Sequence, residues 1–209
     1  MISVKTLAGL AAAAYASPPT FHAGDVGAVL TQQDGVTVLA VRGTRPGSLS
    51  DWLRDLDVMP RWDRLLGWCH QGFLDGADGI FSVAHEAMET SPSLVLTGHS
   101  MGGAIALLLA ARMGVLGLAR RMATVTFGAP RAGTDELARC LSGYGVILFR
   151  NGDDPVPTVP LRMPPELPVP EYRQPAIVRM VGLPSGDPIA DHEIARYVAA
   201  VPDMSPWSV

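Results

Sequence analysis

Leu94-Val95-Leu96-Thr97-Gly98-His99-Ser100-Met101-Gly102-Gly103-Ala104-Ile105-Ala106-Leu107-Leu108-Leu109 is the stretch on which the reading of the fold turns. Leu94-Val95-Leu96 is apolar without alternation, the pattern of a strand buried on both faces. From Gly102 to Ala111 the chain is apolar again, and the helix-like pattern runs on to Met113. A helix apolar all round has to be buried all round. Between the two lies Gly98-His99-Ser100-Met101-Gly102, a G-x-S-x-G string. A serine on a sharp strand-to-helix turn needs glycine two positions to either side, because neighbouring backbone passes where a Cβ would stand. The start of the helix then aims the Met101 N–H at negative charge developing beside the Ser100 hydroxyl. By itself the string is a weak signal; the strand before it and the helix after it give it meaning.

Upstream, Val26–Thr31 and Val36–Val41 are strand-like runs joined by Gln32-Gln33-Asp34-Gly35, and Asp-Gly between such runs predicts a hairpin. Gly43 to Trp68 is rich in Gly, Pro, Asp, Arg and Trp and reads as a long connection. Within it Leu49, Trp52, Leu53, Leu56 and Met59 share one face if Ser50–Met59 is helical, the pattern of a short amphipathic lid. Phe73, Ala77, Ile80, Phe81, Ala84 and Met88 recur at helical spacing over Gly72–Met88, with Pro92 beyond. Downstream, the spacing predicts a strand at Met122–Phe127, a short helix at Thr134–Leu141 and a strand at Val146–Arg150. Pro155 to Pro175 holds eight prolines and reads as a stiff irregular excursion. Tyr172–Val181 is the expected last strand and Asp191–Val201 the expected last helix. Strands alternating with helices make the fold class α/β, with a mostly parallel sheet covered on both faces. No repeat or linker divides residues 1–209, which read as a single domain.

Composition narrows the function. The 209 residues are 48% hydrophobic and 17% charged, with 22 glycines and 18 prolines throughout, which excludes a disordered chain and a coiled coil. The longest apolar runs, Leu7–Ala16 and Gly102–Ala111, are half the roughly 20 residues a bilayer span needs, so no transmembrane segment is expected. Net charge is −4 with scattered basic residues, so nucleic acid is not an expected partner. Cys69 and Cys140 have no metal-ligand spacing and read as two buried free thiols. Lys5, Leu7–Ala16 and Ala14-Tyr15-Ala16 have the order of a short signal peptide, and equally of a helix stopped by Pro18-Pro19. We take the helix reading, with a cytoplasmic location; residues 1–16 acting as a signal peptide would make the chain a secreted one.

A serine hydroxyl needs a base, and the base an acidic orienter. On a strand–elbow–helix scaffold the chain order is Ser, acid, His. His192 is the one histidine after Ser100, and Asp191 before it reads as the N-cap of the last helix. The acid belongs in a loop after a strand; Asn151-Gly152-Asp153-Asp154 is such a loop, with Asp135 and Asp187 as other candidates. His22, His85 and His99 read as structural, and His70 stays open. No cofactor or metal is implied, since no dinucleotide, Walker or metal-ligand pattern occurs.

Taken together these residues resemble the class 3 (filamentous-fungal-type) triacylglycerol lipases of the α/β-hydrolase superfamily. The resemblance is carried by Ala12-Ala13-Ala14-Tyr15, Leu39-Ala40-Val41-Arg42-Gly43-Thr44, Asp51-Trp52-Leu53 and His70-Gln71-Gly72-Phe73-Leu74. Gly98 to Ala104, Thr126-Phe127-Gly128-Ala129-Pro130-Arg131-Ala132-Gly133 and Arg150-Asn151-Gly152-Asp153-Asp154-Pro155-Val156-Pro157 continue it in the family's order. It implies an α/β-hydrolase fold with a short helical lid at about residues 48–60, in which Ser100 is the nucleophile, His192 the base and Asp154, rather than Asp153, the acid. It places the oxyanion hole at Thr44 and Met101, and the lid and substrate contacts at Trp52, Leu53 and Leu56. Gln174 stands where many members have histidine. The implied activity is hydrolysis of acylglycerol or related fatty-acyl esters through an acyl-enzyme, without a cofactor and with transient contact to a lipid interface. The alternatives are a short-chain or phenolic-ester esterase, a phospholipase or acyltransferase, and a non-catalytic binding protein of the same fold.

Overall fold

The computed structural model describes residues 2–43, 59–118, 121–160 and 171–207. The chain runs α1 (Val4–Ala16), β1 (Phe21–Ala23), β2 (Val26–Gln33), β3 (Val36–Arg42), β4 (Pro60–Asp63) and β5 (Gly67–His70). Next come α2 (Gln71–Glu89), β6 (Leu94–His99), α3 (Met101–Val115), β7 (Met122–Phe127), α4 (Asp135–Leu141) and β8 (Gly145–Asn151). A 3-10 turn at Val156–Thr158, β9 (Val178–Val181), α5 (Pro188–Asp191) and α6 (Ile194–Ala200) follow.

Among the described residues seven strands form one sheet in the order β1-β2-β3-β6-β7-β8-β9. The pairs from β3 to β9 are parallel and the β1–β2–β3 edge is antiparallel. The expected hairpin is β2–β3, and Asp34 and Gly35 both take positive φ (50° and 75°), as a two-residue turn with the sheet's own twist requires. Period-two alternation splits the core between the faces. Val95, Val125, Phe127, Ile147 and Phe149 pack with Val4, Leu7, Ala8 and Ala11 of α1 and with Tyr197 of α6. Leu39, Val41, Leu94, Leu96 and Leu148 pack with α2, α3 and α4.

The two apolar runs are both core helices. Every residue from Gly102 to Ala111 is buried in α3, which leads directly from the elbow and lies against β3, β6, β7, α2 and α4. α1 is capped by Ser3, whose Oγ accepts the Thr6 N–H at 3.2 Å. Each fully buried Leu or Val contributes about 1.5–3 kcal/mol over an exposed one, so α1 adds to the stability of the sheet it covers. Among the described residues no helix is long and apolar enough to cross a membrane.

Four expectations need correction. Part of the supposed long connection is the β4–β5 hairpin, held by contacts distant in sequence. Arg61 pairs with Asp75 and Asp78, Arg112 with Asp78 and, at 2.9 Å, with Asp63, fastening the hairpin to α2 and α3. The last strand covers only Val178–Val181, because Arg173 instead forms an isolated bridge with Gly133, which also bridges to Cys69. The last helix is two short ones broken at His192–Glu193. Cys69 is buried, but Cys140 is only half-buried. The expected helix at Ser50–Met59 lies outside the described residues, apart from Met59.

Candidate active site

The C-terminal ends of β3, β6, β7 and β8 converge at one rim, where open α/β sheets place their ligand sites. Ser100 joins β6 to α3 with φ 56° and ψ −133°, a conformation that costs a non-glycine residue about 1–3 kcal/mol. The two flanking glycines hold it there. A Cβ on Gly98 would lie 2.5 Å from the Gly102 carbonyl, and a Cβ on Gly102 would collide with the Val41 carbonyl oxygen. The turn is therefore pressed between its own helix and the end of β3, and the Ser100 N–H donates to the Phe127 carbonyl at 3.0 Å.

Met101 opens α3, and its side chain fills the space beside Gly43, where a Cβ would come within 2.8 Å of the Met101 Cβ. Thr44, the other expected oxyanion donor, and Trp52, Leu53 and Leu56 of the expected lid lie outside the described residues.

His192 sits between α5 and α6. Its Nδ1 donates to Asp154 Oδ2 at 2.8 Å, since an ionised carboxylate can only accept. That tautomer leaves Nε2 as the basic nitrogen; it is buried and makes no hydrogen bond among the described residues. Asp154 is fully buried and well supplied with donors. Its Oδ1 accepts the Val156 N–H at 2.8 Å, its Oδ2 also accepts from the Tyr197 hydroxyl, and its carbonyl accepts from Arg150 Nε at 2.7 Å. Burial, and then the adjacent Asp154 carboxylate, push the Tyr197 phenol far above its ordinary range, so it remains a donor.

The competing acids stand elsewhere. Asp153 is exposed and contributes its backbone N–H to the Asp191 carboxylate at 3.0 Å. Asp135 is exposed at the start of α4, and Asp187 is the exposed N-cap of α5, accepting the Ile189 N–H at 2.9 Å. Asp191 does not cap the last helix; it is the final residue of α5, buried, and accepts N–H bonds from Asp153 and Ser185. Those bonds, the Asp153 one first, hold its carboxyl below the usual range.

Sequence reasoning gave no role to Tyr197, Gly128 or Asn151. Gly128 and Asn151 fall inside blocks that carry the family resemblance, so a signal for them existed; Tyr197 has none, because no spacing rule brings a helix residue back onto a loop carboxylate. His70 is buried against Phe73, with ring centroids 3.9 Å apart, at the end of β5.

A mostly parallel sheet with this elbow and this His–Asp pair at its rim is the α/β-hydrolase fold. A family model described as lipase (class 3) matches residues 38–163, and the chain belongs to that family. The match contains Ser100 and Asp154 and ends before His192. A secreted mono- and diacylglycerol lipase of Fusarium solani is 32% identical over 133 residues, 59% of this chain and 39% of the relative. A triacylglycerol lipase described as having a serine protease triad at its catalytic centre superposes with TM-score 0.58 at 26% identity, over 68% of this chain and 58% of that one. A mutant form of MDLA from Penicillium cyclopium shares the fold with TM-score 0.66 at 21% identity, over 87% of this chain and 77% of that one. This chain thus spans well under two thirds of the Fusarium relative's length.

Proposed function

We propose that the chain, as one domain, is a serine carboxylic-ester hydrolase of lipase type, with Ser100 as nucleophile, His192 as general base and Asp154 as its acidic partner. The observation that carries this reading is the His192–Asp154 pair, 2.8 Å apart and buried, with Nε2 making no hydrogen bond among the described residues at the rim that bears Ser100. His192 Nε2 takes the Ser100 proton as Oγ attacks the ester carbonyl, and Asp154 stabilises the imidazolium that forms. The Met101 N–H at the start of α3, with Thr44, stabilises the oxyanion, an interaction worth about 10²–10³ in rate per donor. His192 then gives its proton to the departing alcohol and activates the water that hydrolyses the acyl-enzyme. Trp52, Leu53 and Leu56 are assigned to a lid contacting substrate and lipid interface. The triad described for the triacylglycerol lipase and the mono- and diacylglycerol activity of the Fusarium relative support acylglycerols as the ester class. That relative is secreted, which supports the secreted alternative; the burial of Val4, Leu7, Ala8 and Ala11 supports a helix kept in the folded domain.

The test is turnover of p-nitrophenyl esters from C2 to C16, with and without an emulsified interface, by wild type and Ser100→Ala. The expected result is hydrolysis of the longer esters, stimulated by the interface and reduced about 10⁴–10⁶-fold by the substitution. Equal activity in Ser100→Ala overturns the mechanism, and preference for C2–C4 without interfacial gain replaces the lipase with an esterase.

A further inference from the structure

His99 stands in the variable position of the elbow, next to the nucleophile, and its side chain points away from Ser100 to the sheet face that carries α1 and α6. There its ring meets Tyr15 edge-on at 6.1 Å, Tyr197 at 5.9 Å and the His192 ring at 4.5 Å. His99 Nε2 lies 2.7 Å from the backbone carbonyl oxygen of His192. A carbonyl can only accept, so Nε2 carries the proton. One residue earlier, Asn151 Nδ2 donates to the Asp191 carbonyl at 3.0 Å. Two successive carbonyls, the last of α5 and the next one, are thus held by side chains from the ends of β6 and β8, the strands that lead to Ser100 and Asp154.

We propose that His99 and Asn151 form a backbone clamp that positions His192 as general base, with His99 as the decisive positioning residue. The proposal rests on the assignment of His192 as base. The Nδ1 bond to Asp154 fixes the rotation and tautomer of the imidazole, but not where its Cα stands. α5 and α6 are four and seven residues long, too short to hold their own ends in register. Hydrogen bonds to the carbonyls on and before the base anchor that segment to the sheet. A displacement of ~1 Å at a reacting group costs on the order of 10²-fold in rate, so this anchoring has kinetic weight.

The chemistry also accounts for a histidine rather than a stronger cation. Burial, and then the neighbouring His192, hold His99 well below the ordinary imidazole range. It therefore donates while neutral. A lysine or arginine would place a permanent positive charge beside the ring that must become an imidazolium, opposing the step it is meant to support. Tyr15 donates its hydroxyl to the His99 carbonyl at 3.3 Å, and burial pushes its phenol up to about 12, so α1 supports the other side of His99 with a second neutral donor.

The test compares two amides that differ in reach. In His99→Gln the side-chain NH₂ reaches about as far as Nε2; in His99→Asn it falls about 1.5 Å short, the length of one C–C bond. Steady-state kcat and KM on p-nitrophenyl butyrate are measured for both, with thermal unfolding in parallel. The expected result is kcat within about threefold of wild type for His99→Gln, and kcat down about 10–100-fold with KM unchanged for His99→Asn. Wild-type kcat in His99→Asn, or equal impairment of the two variants, overturns the clamp. Failure of the underlying reading shows separately, as a wild-type turnover that Ser100→Ala leaves intact.

Discussion

Gly128 lies so close to Asp154 that a Cβ on it would stand 2.8 Å from Oδ2, and 3.0 Å from Nδ1 of His192. The residue directly follows β7 with φ 61°, so the backbone beside the pair is both left-handed and without room for a side chain. This gives Gly128 a physical role: it is the wall against which Asp154 and His192 are pressed together.

Gly128→Ala is therefore expected to injure stability and activity together. The left-handed backbone costs an alanine about 1–2 kcal/mol and the added methyl about 1–3 kcal/mol. In the variant that still folds, kcat on p-nitrophenyl butyrate should fall at least tenfold as the His192–Asp154 bond is forced apart. A variant with wild-type kcat and urea midpoint contradicts the contact.

Tyr197 supplies a further donor to Asp154 Oδ2, beside that of His192. Tyr197→Phe keeps the ring in the core and removes only the hydroxyl. A hydrogen bond to a charged group contributes about 1.5–3 kcal/mol, so the variant should lose stability of that order and several-fold in kcat, with KM unchanged. Denaturant unfolding and steady-state kinetics check both; a variant as stable and as active as wild type shows that Asp154 does not depend on the phenol.

Asp191 gives the fold an acid-sensitive tie. Hydrogen bonds from the Asp153 and Ser185 amides hold its carboxyl below the ordinary value of 3.8. A lowered folded value means that the unfolded chain takes up this proton first as pH falls. The stabilisation is fully present above the unfolded value and is lost as pH drops through the folded one. Asp191→Asn should thus unfold at lower urea than wild type at pH 7, and the gap should narrow below about pH 4. A gap that does not change with pH removes the carboxylate from the account.

What could be read from the sequence follows from where the stabilising contacts come from. β6, α3 and β7 were legible because their apolar patterns are local and each is buried as the pattern demands. The β2–β3 hairpin was legible because Asp34-Gly35 supplies the turn itself. β4–β5 was not, because Pro60-Arg61-Trp62-Asp63 has no alternation and depends on Asp75, Asp78 and Arg112, which lie far along the chain. The break at His192 was hidden because apolar spacing continues through it, while carbonyls that would extend one helix are held by Asn151 and His99. Within the site, Ser100 and His192 stood out by residue type and order, Asp154 was separated from Asp153 only by the family resemblance, and the structure pairs Asp154 with His192. Tyr197 and the clamp on the His192 backbone arise only when the ends of β6 and β8 meet α5 and α6 in space.

The most direct test of the central claim is stoichiometric. Wild type is treated with a p-nitrophenyl alkylphosphonate, the released p-nitrophenolate is measured against protein concentration, and the adduct is located by peptide mass mapping. The account predicts one equivalent released, with the phosphonyl group on Ser100 and complete loss of esterase activity. No release, or an adduct on any other residue, contradicts it.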